Sequence, residues 1–354
     1  MALPFQTILP KRKRSQAVAI DIGSHTTKAV CLQRKGDGFE LLRYTVREAP
    51  NRDKPLTSEL LSSHLKSVAQ SLNAKTKQIA LLIGVEDSLV RHAEVPMMPV
   101  SDLRLMLKFG SKNYLQQDLP DYVFDCYLLP QRGTANSSES QRNQKCRALV
   151  GGAKRQYLEL LQQAATAAGL VADQVTPDLV GIANAFEMAQ PEIFAQGIVA
   201  LVDIGFRHST ISILLNGELC LNRVVGLGGE KITTGLGEAM NLDSADAEKA
   251  KLNVTDDTQP VLLSLLMPLG REFRASIDFF EKQEDKTVTQ VFLSGGSARS
   301  QFIIEALQTE LMIPCKSWNP ISFLSLALPP QQLGEVEQVA PLLAAATGGA
   351  MAAF

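Results

Sequence analysis

The sequence predicts an α/β fold built twice, as two lobes that face each other across a cleft, with a smaller mixed block inserted into the first. Three observations lead there. A strand–turn–strand segment that starts at Ala17 is repeated from Ile198, each copy is followed by helical sequence, and a self-contained run of alternating elements interrupts the first copy. The chain has 354 residues, 45% of them hydrophobic, which exceeds one compact core and suits two.

Each element has a local reason. The runs up to Asp21 and Asp203 are continuously apolar, the pattern of a strand buried on both faces. Both end on the same tripeptide, Asp21-Ile22-Gly23 and Asp203-Ile204-Gly205, 182 positions apart. Both continue through a polar turn into a second strand rich in β-branched residues. A third strand follows in each copy, over 39–46 and over 218–225. The second is reached through Asn216-Gly217, which supplies the positive φ values of a two-residue hairpin. Leu60, Leu61, Leu65, Val68 and Leu72 predict a helix over 57–72, and a strand follows over 78–84. The inserted block is expected as strand 90–95, helix 101–115, strands 122–129 and 145–152, and helix 154–168, a βαββα order. Its Ser- and Asn-rich stretch 131–144 is expected to be a mobile loop. Helices are predicted over 229–240, 245–252 and 261–281. A strand over 288–293 then leads through Ser294-Gly295-Gly296-Ser297 to a helix over 300–311.

The expected organisation is a leader, 1–15, and a first lobe, 16–87, completed by 173–196 and 330–354. The insert is 88–172, the second lobe 197–228 and 288–329, and a helical subdomain 229–287. With 35 Lys and Arg against 37 Asp and Glu, the net charge of −2 gives no field that would draw nucleic acid or anionic lipid as the main partner. The basic run Lys11 to Arg14 is either a solvated leader or a weak contact with a membrane surface or partner, since four positive charges alone hold a membrane poorly. The five cysteines, Cys31, Cys126, Cys146, Cys220 and Cys315, are odd in number and lack metal-ligand spacing, which fits buried thiols in a reduced cytoplasm. Residues 1–10 lack the long apolar core of a secretory signal, and no run of about 18 apolar residues predicts a membrane span. The apolar residues 341–354 are broken by Thr347-Gly348-Gly349 and are expected as a buried helix end.

The two Asp-Ile-Gly turns carry the chemistry. A triphosphate needs many donors in a small space and a divalent cation to offset its charge. Glycine in a tight turn lets backbone N–H groups approach phosphate oxygens. Ser24, Thr26, Ser209 and Thr210 can add hydroxyl donors, and Lys28 a compact positive charge. An aspartate at a strand end can hold Mg²⁺, commonly through waters. Asp21 and Asp203 occupy equivalent places, so facing halves would bring both to one metal. A single Asp-x-Gly at a strand end is a common turn. Two in matched contexts, with Gly295-Gly296 at a strand-to-helix turn where backbone can approach a purine, are a stronger signal. His25 and His208 sit in the turns, yet phosphate binding does not require histidine. His64 and His92 are expected to be surface or partly buried residues.

These residues resemble the actin-like ATPase superfamily, which also contains hexokinases and Hsp70 chaperones. Asp21-Ile22-Gly23-Ser24 is similar to its first phosphate motif, Asp203-Ile204-Gly205 to its second, and Leu293 to Arg299 to its adenosine motif. The runs GGEKIT, from Gly228, and AEKAK, from Ala247, resemble the helical segment that closes over ribose and base. Over nearly its whole length the chain resembles the PilM family of type IV pilus assembly, relatives of the cell-division protein FtsA. The insert corresponds to their extra subdomain. The C-terminus lacks the basic amphipathic helix usual in FtsA-like chains.

The resemblance implies an actin-like, ribonuclease H-like duplicated two-lobed fold with ATP and Mg²⁺ in the cleft. The first turn would contribute Asp21, Gly23, Ser24, Thr26 and Lys28, and the second Asp203 and Gly205, with both aspartates at the metal. The helical segment would contribute Gly229, Glu230, Glu248 and Lys251, and the adenosine turn Gly295, Gly296, Ser297 and Arg299. Arg299 either stacks on adenine or lies on a helix surface. The resemblance also implies a cytoplasmic scaffold of pilus assembly, held at the inner membrane through the N-terminal tail of a PilN-like protein. Other pilus proteins are expected partners, self-association is open, and nucleic acid is not expected. An FtsA-like division tether and a small-molecule kinase are the alternatives. One departure concerns hydrolysis. The superfamily places Glu, Gln or Asp in the helix that crosses between the lobes, to orient the attacking water. Here Thr176 or Asp178 falls at that place. Thr176 cannot act as a base at neutral pH. Asp178 is the candidate catalytic residue, or else the N-cap of the helix after Pro177, so slow hydrolysis at most is expected.

Overall fold

The computed structural model describes residues 14–51, 55–130 and 145–354. The leader up to Lys13 and the polar stretch 131–144 lie outside these residues. The first meander is β1 (Gln16–Ile22), β2 (Thr26–Lys35) and β3 (Gly38–Glu48). Helix α1 (Ser58–Leu72) follows, capped by the Thr57 hydroxyl, which accepts the Leu60 N–H at 3.2 Å. Strand β4 (Gln78–Ile83) then runs parallel to β1. The inserted elements are β5 (Ser88–Pro96), α2 (Val100–Leu115), β6 (Tyr122–Leu128) and β7 (Lys145–Lys154). The chain returns through α3 (Arg155–Ala167), β8 (Val171–Pro177), α4 (Asp178–Ala189) and α5 (Pro191–Gln196).

The second half repeats the plan. Strands β9 (Ile198–Ile204), β10 (Ser209–Leu215) and β11 (Glu218–Val225) form its meander. Helices α6 (Gly229–Met240), α7 (Ser244–Leu252) and α8 (Gln259–Glu284) lead to β12 (Gln290–Gly295). The remainder is α9 (Gln301–Leu311), β13 (Cys315–Ser317), β14 (Ser325–Leu326), α10 (Pro330–Val339) and α11 (Ala344–Ala352).

The sheet orders make the duplication explicit. They are β14-β3-β2-β1-β4-β8 and β11-β10-β9-β12-β13. Apart from the two-residue edge strand β14, both place the meander's first strand at the centre and add two parallel strands beside it. Both meanders also carry an irregularity in register between their second and third strands. It falls at Cys31/Leu32 and at Ile213/Leu214, equally far beyond the respective aspartates.

Strand alternation decides which way the key side chains point. Val18, Ile20 and Ile22 pack outward against α1 and α3, whereas Ala17 and Ala19 face a central core. Val199 and Leu201 face the same central core, and Ala200, Val202 and Ile204 face α6, α8 and α9. Asp21 and Asp203 therefore stand on the central faces of their sheets, toward each other. Between the sheets lie α4 and α11, whose residues Val180, Phe186, Ala346 and Ala350 fill that core. Where these helices cross, a Cβ on Gly348 would lie 1.8 Å from the Gly181 carbonyl oxygen, so the contact is backbone on backbone.

The structure redraws two local expectations. The helix expected to close the insert forms, but Tyr157, Leu161, Ala164 and Ala165 of α3 join the outer core of the first sheet instead. The insert's own core is built from β5, β6, β7 and α2, with Leu103, Leu107, Phe124 and Val150 at its centre. Of the two residues placed in the crossing helix, Thr176 lies instead on the strand β8, paired in parallel with β4, and only Asp178 is in the helix α4. No helix among the described residues is long and apolar enough to cross a membrane.

Candidate functional site

Between the two sheets opens a cavity of about 780 Å³. It is walled by both Asp-Ile-Gly turns, the N-terminal end of α4, the start of α6, one face of α7 and the turn after β12. Of the residues that the sequence nominates for nucleotide, metal or catalysis, from Asp21 to Arg299, all but Ser209 and Thr176 line this cavity. Ser209 is buried, and its hydroxyl donates to the Leu227 carbonyl at 2.7 Å.

The two turns are built alike. A Cβ on Gly23 would lie 2.6 Å from the Thr26 carbonyl oxygen, and one on Gly205 would lie 2.7 Å from that of His208. The carbonyl three residues on closes each turn against its glycine, so only glycine fits. Register then sets the functional groups. Asp21 stands opposite Lys28, and Asp203 stands opposite Thr210 on one side and beside Ser294 on the other. Lys28 Nζ lies 3.3 Å from Asp21 Oδ2, and the Ser294 hydroxyl donates to Asp203 Oδ1 at 2.8 Å.

Three carboxylates and one ammonium share the cleft floor. Burial works against the Lys28 charge, but Asp21, Asp203 and Asp178 outweigh it and raise its pKa above the ordinary lysine value. Burial pushes the Asp203 carboxyl up, and neighbouring Asp21 adds to this against the Ser294 hydrogen bond and Lys28. Asp178 is pushed to about 8, by burial first and then by Asp21 and Asp203. Among the described residues no three His, Cys, Asp or Glu side chains stand close enough to hold a metal directly. The donor set, carboxylates at two strand ends with glycine turns beside them, fits a hard cation held through waters and phosphate oxygens.

Asp178 is placed at the first helical position of α4, since Pro177 at φ −57° and ψ 136° ends β8. The N-cap alternative is thereby corrected: the capping position is Pro177, and the Asp178 carboxylate accepts the N–H of Leu179 at 2.7 Å while facing the cleft. Thr176, buried on β8, is not part of the cavity wall.

At the far end of the cleft, Lys251 Nζ bonds Glu248 Oε2 at 2.5 Å and Thr233 Oγ1 at 2.9 Å, with Thr233 also donating to the Gly229 carbonyl. Burial favours a neutral Lys251, whereas the Lys251 ammonium holds Glu248 below the usual carboxylate range against its own burial. The Glu248 side chain is the more open of the two, so a charged pair is the state the geometry supports. Gly295, at φ +90°, presents its hydrogen to the Ile204 carbonyl, where a Cβ would lie 2.4 Å away. Arg299 donates to the Gly296 carbonyl at 3.2 Å and edges the cavity. His25 and Phe206, one from each turn, stack with ring centroids 4.2 Å apart and planes at 14°.

The sequence reading gave no role of its own to Thr233, the last residue of the run GGEKIT, and did not single out Gly84 to Glu86 after β4, Phe206, or the wall formed by Val339, Leu342, Ala344 and Ala345. Thr233 had a usable signal, since it follows Gly229 by one helical turn. The C-terminal wall had none, because its residues are ordinary apolar ones.

Among solved structures, a PilM–PilN type IV pilus biogenesis complex has a TM-score of 0.80 at 19% identity, covering 97% of this chain and 99% of that one. The ethanolamine utilization protein EutJ from Carboxydothermus hydrogenoformans has a TM-score of 0.54 at 13% identity, covering 97% and 92%. MreB5 of Spiroplasma citri bound to ADP has a TM-score of 0.51 at 10% identity, covering 88% and 94%. These likenesses establish the actin-like fold. In sequence, the cell division protein FtsA of Bacillus subtilis (strain 168) is 42% identical over 53 residues, which is 15% of this chain and 12% of FtsA. A family model described as type IV pilus assembly protein PilM matches residues 19–354. The chain belongs to the PilM family of type IV pilus assembly proteins.

Proposed function

We propose that the chain is an ATP-binding scaffold of type IV pilus assembly, which holds Mg²⁺-ATP between its lobes and docks the N-terminal tail of a PilN-like inner-membrane protein. The observation that carries the nucleotide reading is the convergence of two matched glycine turns, three carboxylates and Lys28 on one cavity. The β- and γ-phosphates would lie between the turns, with Asp21 and Asp203 on the cation's water shell. Ribose and base would lie between the Glu248–Lys251 pair and the turn at Gly295 to Arg299. MreB5 of Spiroplasma citri, of similar fold, binds ADP, which is consistent with a nucleotide here. The PilM–PilN complex supports a PilN-like partner and, with it, a cytoplasmic protein held at the inner membrane. The boundaries of the lobes and of the insert at 88–172 are proposed on the same footing.

Slow hydrolysis at most is the expected activity, with Asp178 as the candidate base. In the ligand-free cleft its carboxyl is pushed up to about 8 by burial and by Asp21 and Asp203, the same residues that would hold the cation, so the cation would set its state in the loaded site. A second reading, a division-type tether, is favoured by the FtsA match alone. Calorimetry with Mg²⁺-ATP on wild type and Asp203→Ala tests the first. We expect binding that the substitution abolishes or weakens strongly; equal affinity would remove the site. Robust ATP-dependent sedimentation of filaments would favour the tether.

A further inference from the structure

The insert belongs by sequence to the first half, yet it is fastened to the second. The imidazole Nε2 of His92, on β5, bonds the Leu219 carbonyl on β11 at 2.6 Å. Asn222, also on β11, returns a bond from its side-chain amide to the Val90 carbonyl at 3.1 Å. Arg147 on β7 pairs with Glu218 at the start of β11. Behind these polar contacts, Val90 and Leu149 of the insert share the central core with Leu214 and Leu219 of the second sheet.

The other end of the insert is rooted in the cleft. Gly84 to Glu86, which lead into β5, line the cavity, and Glu86 Oε1 lies 3.4 Å from His208 Nδ1 of the second turn. Ser88 donates to the Gly84 carbonyl at 3.0 Å. The base is closed by Lys154, whose N–H donates to the Asp87 carbonyl at 3.0 Å and whose ammonium lies 3.2 Å from the Asp87 carboxylate. The insert is thus gripped at its root beside the ligand cavity and along one edge by the opposite lobe.

We propose that the insert is a strut between the lobes, so that opening of the cleft and displacement of the insert are a single motion, and a protein held by the insert sets the rate at which the cleft opens. Hydrogen bonds of about 3 Å tolerate only small changes of length. A rotation of the second lobe therefore either breaks all three contacts with β11 or carries the insert with it. Coupling of this kind is reciprocal: whatever steadies the insert steadies the closed cleft. Only the application to nucleotide release rests on the proposed ATP binding.

Hydrogen exchange on the ligand-free protein tests the strut without reference to nucleotide. Arg147→Glu reverses one charge of the ion pair, and the swap Arg147→Glu with Glu218→Arg restores it. We expect Arg147→Glu to speed exchange about fivefold in β5 and β11 and, in parallel, in both glycine turns, with the swap returning all four segments toward wild type. Asn222→Ala, which removes one bond and leaves the ion pair, should give a smaller change of the same pattern. Faster exchange confined to β5 and β11, with the turns unchanged, overturns the proposal. With Mg²⁺-ATP bound, Arg147→Glu should release nucleotide several-fold faster. Unchanged release beside faster turns would overturn the link to nucleotide. Failure of wild type to bind ATP would instead remove the ATP reading and leave the exchange result to decide the strut.

Discussion

Replacing Asp178 by asparagine stabilises the ligand-free protein at alkaline pH and leaves it unchanged near pH 4. The Asp178 carboxyl has a pKa of about 8 in the folded chain against an ordinary 3.8. The folded value lies above the unfolded one. Between them the folded state therefore binds one more proton than the unfolded state, and stability falls as pH rises, by about 1.4 kcal/mol per pH unit at most. Carried over the whole interval this would amount to about 6 kcal/mol. Asp178 keeps some access to solvent on its cleft side, so that figure is an upper bound, and a difference of about 2–4 kcal/mol at pH 8 is the expectation. Asparagine keeps the shape and the oxygen that accepts the Leu179 N–H, and it removes only the titration. Urea unfolding of both proteins, with chelator present and nucleotide absent, at pH 4, 6 and 8 measures the effect. The asparagine variant should gain on wild type with each step in pH. A difference that is constant with pH, or that shrinks as pH rises, would refute the idea that burial and the neighbouring aspartates hold Asp178 protonated.

Two further outcomes follow from packing and thiol chemistry. Gly348→Ala places a Cβ 1.8 Å from the Gly181 carbonyl oxygen, and because both partners are helix backbone, the helices must part. We expect a loss of about 1–3 kcal/mol in denaturant unfolding, whereas Gly36→Ala, open to solvent although at φ +60°, should cost less. Burial pushes Cys31 and Cys126 up to about 11 and Cys315 to about 12. In the folded protein at pH 8 these three thiols should alkylate at least about a hundredfold more slowly than a free thiol, and at ordinary rates once urea unfolds the chain. Rapid labelling of Cys31 in the native state, read by peptide mass spectrometry, would contradict its burial.

Much of the site was legible because it is local and repeated. An apolar run ending on Asp-Ile-Gly specifies a central strand, the face its aspartate takes and a turn that only glycine can close, and the chain states this twice. Other features depend on partners distant in sequence. Residues Val171 to Pro177 mix polar with apolar side chains and show no alternation, so β8 is a strand only because β4 offers it an edge. The period of Tyr157, Leu161 and Ala164 announces a helix without saying which sheet it covers, and α3 takes the outer face of the first sheet rather than the insert's. Asp178 meets Asp21 and Asp203 only because α4 is held between the two sheets, a relation that no spacing along the chain encodes. The bonds between β5 and β11 are likewise invisible in sequence, since His92 and Asn222 carry no pattern until the sheets are stacked.

The crossing at Gly181 and Gly348 bears on how the molecule moves. Helices that interlock through large side chains resist sliding, because each ridge must climb out of its groove and every displaced side chain must find a new rotamer. At this crossing backbone bears on backbone at Gly181 and Gly348, and Leu82 packs against both Gly181 and Gly349, so the two helices are held at one close spacing. The joint thereby fixes the spacing of two helices that reach the cavity through Ile182, Ala344 and Ala345, so a change in that spacing would be felt in the cavity wall.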